Sequence, residues 1–132
     1  MSVFRGNNSL RSLSRGAVGE AAEVAVCGFL ESSGCEILGR NVRVGHLEID
    51  IVARLNNLAL IVEVRFRSAE AWTSSFGSVD SGKRKRVRLA GERLWDRKLK
   101  HDGRLEHMRF DSASVTLDDA GHFAIEYAPG AL

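Results

Sequence analysis

The chain has little of what builds a disulfide-stapled or metal-held scaffold. Its 132 residues include two cysteines, Cys27 and Cys35, and four scattered histidines, His46, His101, His107 and His122. No two of these histidines stand at helical ligand spacing, and neither a disulfide framework nor a zinc site can be read from the pattern. The thiols read instead as small apolar side chains in a reducing cytoplasm. Long apolar runs are also missing: Leu58–Val64, the most apolar stretch, is followed at once by Arg65 and Arg67, far short of the ~20 residues that span a bilayer. Met1 to Arg15 carries Arg5, Arg11 and Arg15 with no acid and no continuous apolar segment, so it reads as a flexible basic arm and not as a secretory signal. Internal repeats and low-complexity tracts are absent. What is left is a soluble, cytoplasmic protein with no membrane partner, residues 16–128 forming one domain and 129–132 a short tail. An apolar share of 44% with 27% charged residues is ordinary for a chain that buries a core.

Residues 16–33 predict an amphipathic helix, with Val18, Ala21, Ala22, Ala25, Val26, Phe29 and Leu30 at helical intervals and Gly34 placed to end it. Cys35–Val44 predicts a short strand, interrupted at Gly39. Two extended apolar runs, Leu47–Leu55 and Leu58–Arg67, flank Asn56-Asn57, residues that tolerate the left-handed conformation of a tight hairpin turn. Ser68–Gly82, polar with Trp72 and Phe76 embedded, reads as a long loop. A helix then starts near Lys83, capped by Asp80 or Ser81, with Val87, Ala90 and Leu94 on its apolar stripe through to about Lys100. Met108–Leu117 and His122–Tyr127 predict two more strands around the Asp118-Asp119-Ala120-Gly121 turn. The order is α-β-β-β-α-β-β.

The hairpin carries the chemistry. With a two-residue turn, Leu55 pairs with Leu58, Asp50 falls opposite Glu63, and Glu48 falls opposite Arg65, all four on one face. Leu58, Leu60, Val62, Val64 and Phe66 point to the other face. Two carboxylates opposed at about 4.5–5.5 Å repel unless something neutralises them, and Mg²⁺ or Mn²⁺, which take oxygen ligands, would do so. Glu20, on the first helix, offers a further acid. A plainer arrangement is equally compatible with the spacing: Glu48 and Arg65 form a cross-strand ion pair, while Asp50 and Glu63 face water and bind nothing. A bulge would break the register altogether.

Charge is unevenly placed. Lys83, Arg84, Lys85, Arg86, Arg88, Arg93, Arg97, Lys98 and Lys100 stand in one helix against only Glu92 and Asp96, a concentration suited to a polyanion. Lys83, Arg84 and Arg86, with Arg67 at the end of the hairpin, are the candidates for phosphate contact. No base-reading motif is present, so binding directed by nucleic-acid structure is expected over binding directed by sequence. The alanine-rich first helix or a free sheet edge would suit a homodimer.

Gly19-Glu20 on the first helix, Glu48-Ile49-Asp50, then Glu63-Val64-Arg65-Phe66-Arg67, Val79 followed by Lys83 and Arg86, and finally Arg109-Phe110-Asp111 together resemble the YraN-like uncharacterised bacterial family, over about residues 15–127. That family looks like a branch of the restriction-endonuclease-like superfamily, similar to archaeal Holliday-junction resolvases. The resemblance implies an α/β restriction-endonuclease-like core, a mixed sheet flanked by helices. It also implies a Mg- or Mn-dependent endonuclease acting on structured or branched DNA. Asp50 and Glu63 would be the metal-binding carboxylates, Glu20 an auxiliary acid, and Arg65 would stand where the motif has lysine. Arginine stays protonated and clamps oxyanions in bidentate fashion. The alternative is therefore a catalytically inactive nucleic-acid-binding module that keeps the nuclease fold.

Overall fold

The computed structural model describes residues 15–68 and 81–132. The arm up to Ser14, Trp72, Phe76, Val79 and the Asp80 cap lie outside the described residues. The elements follow the predicted order: α1 Arg15–Ser32, β1 Glu36–Val44, β2 Leu47–Leu55, β3 Leu58–Ser68, α2 Ser81–Arg97, β4 His107–Leu117 and β5 Phe123–Ala128. A 3-10 turn, Leu99–His101, follows α2.

The five strands form one sheet in the order β1-β2-β3-β4-β5. All neighbours are antiparallel except β3 and β4, which run parallel over their full length from Leu58↔His107 to Ser68↔Leu117. A parallel pair needs a crossover, and α2 supplies it. The mixed five-stranded sheet with a helix on each face has the architecture expected of a restriction-endonuclease-like core.

Each face of the sheet has its own core. On one, Ala22, Val26 and Leu30 of α1 pack on Ile51, Ala53, Leu60, Val62, Ala113, Val115 and Ile125. On the other, Val87, Ala90 and Leu94 of α2 cover Ile49, Val52, Ala59, Ile61 and Phe110. β3 is therefore buried on both sides, which is why its apolar run is continuous up to Glu63. α2 comes close to the sheet at Gly91, where a Cβ would stand 2.5 Å from the Phe110 ring. Any side chain there would push the helix off the strands.

The turns obey their residues. Asn56 takes φ 55° and Leu55 pairs with Leu58, as a two-residue loop requires. At the second turn, Asp118 Oδ1 accepts the amides of Ala120 at 2.9 Å and His122 at 2.8 Å, the local carboxylate capping that favours aspartate in turns. β1 carries an irregularity between Ile37 and Gly39, the interruption expected at Gly39. Both cysteines are free thiols.

The last residues are tied down. Gly130 N donates to Asp111 Oδ1 at 2.8 Å, Leu132 N donates to Phe110 O at 3.4 Å, and Arg88 donates to the Leu132 main-chain oxygen. Residues 129–132 thus continue along the free edge of β4 past the end of β5.

Candidate functional site

Glu63 sits on the central strand, on the face covered by α2. Alternation along β3 puts Ala59 and Ile61 on this face with it, so the carboxylate ends an apolar row at the point where α2 begins. Its side chain is 3% exposed. The solvent-facing arrangement allowed by spacing alone is therefore ruled out for Glu63.

Its counter-ion is Lys83, from the first turn of α2, with Nζ 2.9 Å from Glu63 Oε1. The approach is an ion pair rather than an aligned hydrogen bond, and Oε1 is buried without a hydrogen-bond donor among the described residues. Arg65, Lys83 and Arg84 line a cavity of about 90 Å³ with Glu63 and Ser112. Ser112 is the parallel partner of Glu63 on β4.

Asp50 lies where β2 changes faces. Leu47 and Ile49 point to the α2 side, whereas Ile51, Ala53 and Leu55 point to the α1 side, so the alternation slips by one residue across Asp50. Opposite it in β1, Asn41 adopts φ 50°. The regular β2–β3 pairing runs from Leu55↔Leu58 to Ile51↔Val62 and stops there. Beyond it, the Val64 amide donates to Asp50 Oδ2 at 2.8 Å. The expected register, which ran on through Asp50 opposite Glu63 to Glu48 opposite Arg65, thus stops before either pair: the Asp50 side chain takes a hydrogen bond that a strand carbonyl would otherwise take, as at a bulge.

Burial is the strongest influence on the Asp50 carboxyl and raises its pKa. The Val64 amide and the Lys83 charge oppose that rise, while Glu63 and Glu48 add to it. Asp50 therefore senses both the Glu63–Lys83 pair and the acids on its other side, which is the coupling expected at a functional centre.

Glu48 does not meet Arg65. It is paired across the strand with Arg43, Nε to Oε2 4.0 Å, because β1 and not β3 flanks the start of β2. The cross-strand Glu48–Arg65 pair is corrected accordingly, and the resident cation of the site is Lys83. With its amide oriented to donate, Asn41 reaches Glu48 Oε1 and Glu23 Oε1, both at 3.2 Å. Glu23 also faces Arg40 at 3.7 Å. Burial first, and then the Asp50 charge, raise the Glu23 pKa.

Glu20 is exposed on α1, and the helix acid coupled to Asp50 is Glu23, one turn further on. Sequence reasoning missed Glu23; the signal was its neighbourhood in the helix, three residues after Glu20 and so on an adjoining face. Arg84 and Arg86 are exposed on α2. Arg67 is partly buried, and that burial, followed by the charge of Arg65, lowers its pKa. All nine basic residues of Lys83–Lys100 are exposed, and several also have partners within the protein. Lys83 balances Glu63, Lys100 pairs with Asp96 at 2.7 Å, and Arg88 lies over the Phe110 ring at 4.8 Å.

Among the described residues no three His, Cys, Asp or Glu side chains gather into a metal-binding group. The two expected ligands, Asp50 and Glu63, are close enough for their charges to interact. Their chemistry fits Mg²⁺ or Mn²⁺: both donors would be carboxylate oxygens, and one or two carboxylates with water and substrate phosphate is a common Mg²⁺ shell; Glu63 Oε1 is buried with no aligned hydrogen bond, only the Lys83 ammonium beside it.

The model of the uncharacterised protein family UPF0102 matches residues 22–115. A UPF0102 protein of Sorangium cellulosum (strain So ce56) is 47% identical over 112 residues, 85% of this chain and 78% of the relative. One of Myxococcus xanthus (strain DK1622) is 35% identical over 113 residues, 86% of each chain. A third, of Arthrobacter sp. (strain FB24), is 36% identical over 114 residues, 86% of this chain and 93% of the relative. The matched segment contains Glu23, Asp50, Glu63, Arg65 and Lys83, and on these agreements the chain belongs to the uncharacterised protein family UPF0102.

Proposed function

We propose that this protein binds the phosphate backbone of DNA at the end of β3 and α2, and that Asp50 and Glu63 hold a Mg²⁺ or Mn²⁺ ion for phosphodiester hydrolysis. The observation that carries this reading is Glu63: a carboxylate buried on the central strand, at a cavity whose other charged lining residues are Arg65, Lys83 and Arg84. A fold has no structural need of a buried acid whose oxygen accepts no hydrogen bond, and tolerates one where chemistry requires it. The exposed cations of α2 extend the positive surface beyond the cavity and suit a polyanion.

When bound, the metal ion supplies a Lewis acid for the phosphoryl oxygens and a more acidic water. The residues of this chain do the rest. Asp50 keeps one carboxylate oxygen on the Val64 amide, which fixes its orientation. Lys83 sets its ammonium 2.9 Å from Glu63 Oε1 and so supplies the opposite charge beside the buried carboxyl. Arg65 orients phosphate oxygens through the planar fork of its guanidinium, which offers donors and no acceptor.

The second reading is a DNA-binding module of the same fold without cleavage. It is favoured by one observation, that Lys83 already neutralises the Glu63 oxygen that a metal would use. Purified protein incubated with Mg²⁺ or Mn²⁺ and a panel of linear, flapped and four-way DNA separates the two. Metal-dependent cleavage that disappears in Asp50→Ala supports hydrolysis. Salt-sensitive binding that no metal converts to cleavage selects the binding module. A panel that is neither bound nor cut ends both.

A further inference from the structure

The cavity beside Glu63 has a wall that the hairpin and α2 do not supply. Glu63 and Ser112 lie side by side across β3 and β4, Arg65, Lys83 and Arg84 bring the cations, and Ala128, Ala131 and Leu132 close the remaining side. These last three residues fall outside the segment 22–115 that the family model matches. The wall stands on a firm base. Gly130 N donates to Asp111 Oδ1 at 2.8 Å, and the fully buried Asp111 carboxylate is itself held by both Nε and Nη2 of Arg109, at 2.8 and 2.9 Å, and by the Tyr127 hydroxyl. Arg88 grips the far end at the Leu132 main-chain oxygen.

We propose that this cavity is a subsite for one phosphate group and that residues 128–132 are the wall that limits it to one. The proposal rests on the nucleic-acid reading above and names the part of the ligand that enters. The Glu63 charge is taken up by Lys83, so the two guanidinium groups of Arg65 and Arg84 set the sign of the cavity. Among the described residues neither of them is held by a carboxylate, and guanidinium groups pair with oxyanions through two parallel donors. A volume of about 90 Å³ has room for a handful of water-sized groups and so for the atoms of one phosphate. The phosphate comes from either of two sources, a strand end or the continuous backbone.

Calorimetric titration of inorganic phosphate into the full chain tests the wall by charge. Ala131→Glu should weaken phosphate binding about tenfold and Ala131→Lys should strengthen it, because a unit charge a few ångströms from the anion acts with opposite signs. Ala131 is exposed, so neither change disturbs the core, and a merely structural role for the wall would not give opposite signs. Gly130→Pro removes the amide that Asp111 accepts and cannot adopt φ 68°. It should open the wall, so that tripolyphosphate, excluded from the wild type relative to phosphate, binds as well as phosphate does.

The sources are separated with one duplex carrying either a 5′-phosphate or a 5′-hydroxyl. Tighter binding of the phosphorylated form assigns the site to a strand end. Equal binding, with inorganic phosphate competing against both, assigns it to the backbone. Phosphate binding that Ala131→Glu abolishes, with no DNA bound by any form, upholds the subsite and overturns the nucleic-acid reading. DNA binding that ignores both phosphate and the Ala131 variants overturns the subsite and leaves that reading standing. A wild type that binds no inorganic phosphate also overturns it.

Discussion

Asp111 and Glu63 are the two buried acids among the described residues, and they stand on adjacent strands, Asp111 beside Val62 and Ser112 beside Glu63. The protein treats them in opposite ways. Asp111, facing the α1 side, receives two donors from Arg109, one from Tyr127 and one from the Gly130 amide. Glu63, facing the α2 side, receives one ammonium from a half-exposed lysine and leaves Oε1 without an aligned hydrogen bond. A fully satisfied buried carboxylate locks structure, and a poorly satisfied one stores an interaction for something else. One sheet therefore carries a fully satisfied acid on one face and a sparsely satisfied one on the other.

The sharpest test replaces each acid by its amide. Asp111→Asn removes the charge that holds Arg109 and turns one of its oxygens into a donor facing other donors. It should cost about 3–5 kcal/mol, as breaking a buried ion pair typically does, read by urea unfolding. Glu63→Gln should change stability by no more than about 1 kcal/mol. Equal losses from the two substitutions would abolish the distinction between them.

A smaller effect probes the Glu63 side alone. Lys83→Met leaves the buried carboxylate without its cation and should cost about 1–2 kcal/mol, toward the lower end because water reaches the lysine. Adding Glu63→Gln to Lys83→Met should restore most of that loss. The double-mutant cycle measures the coupling, and a coupling near zero would mean that Lys83 does not serve Glu63.

The contrast between the two acids was only half visible in the amino-acid order. Strand and helix positions were legible because hydrophobic periodicity is local, and the Asn56-Asn57 turn fixed Leu55 against Leu58. The candidacy of Asp50 and Glu63 followed from that register. What failed was everything decided by a neighbour distant in sequence. Glu48 turned to Arg43 because β1 lies beside it, Lys83 reached Glu63 because the crossover helix begins above the end of β3, and Asp111 gathered donors from Tyr127 and Gly130 at the far end of the chain. The need for glycine at position 91 comes from the Phe110 ring against it, a helix–strand contact that no local pattern announces. The slip at Asp50 was invisible as well, since Ile49 and Ile51 are equally apolar and only packing shows that they face opposite cores.

The smallest expected effect concerns Asp50, and its sign is opposite to the others. Burial raises its carboxyl above the ordinary value in the folded protein, so the ionised form is harder to hold in the fold than in the unfolded chain. That penalty is fully present above the folded pKa and is relieved as pH falls through it toward the unfolded value. Asp50→Asn keeps an oxygen for the Val64 amide and discards the charge. It should therefore raise stability by about 1 kcal/mol near neutral pH, with the gain shrinking as the solution is acidified through the carboxylate range. Thermal unfolding of wild type and Asp50→Asn across that range reads both the sign and the trend. Glu23 is raised first by its own burial and then by the Asp50 charge, so Asp50→Asn also relieves Glu23, and the difference between the two proteins contains that relief with the same sign. A substitution that stabilises the fold while removing activity or DNA binding would mark Asp50 as a residue kept at the expense of stability.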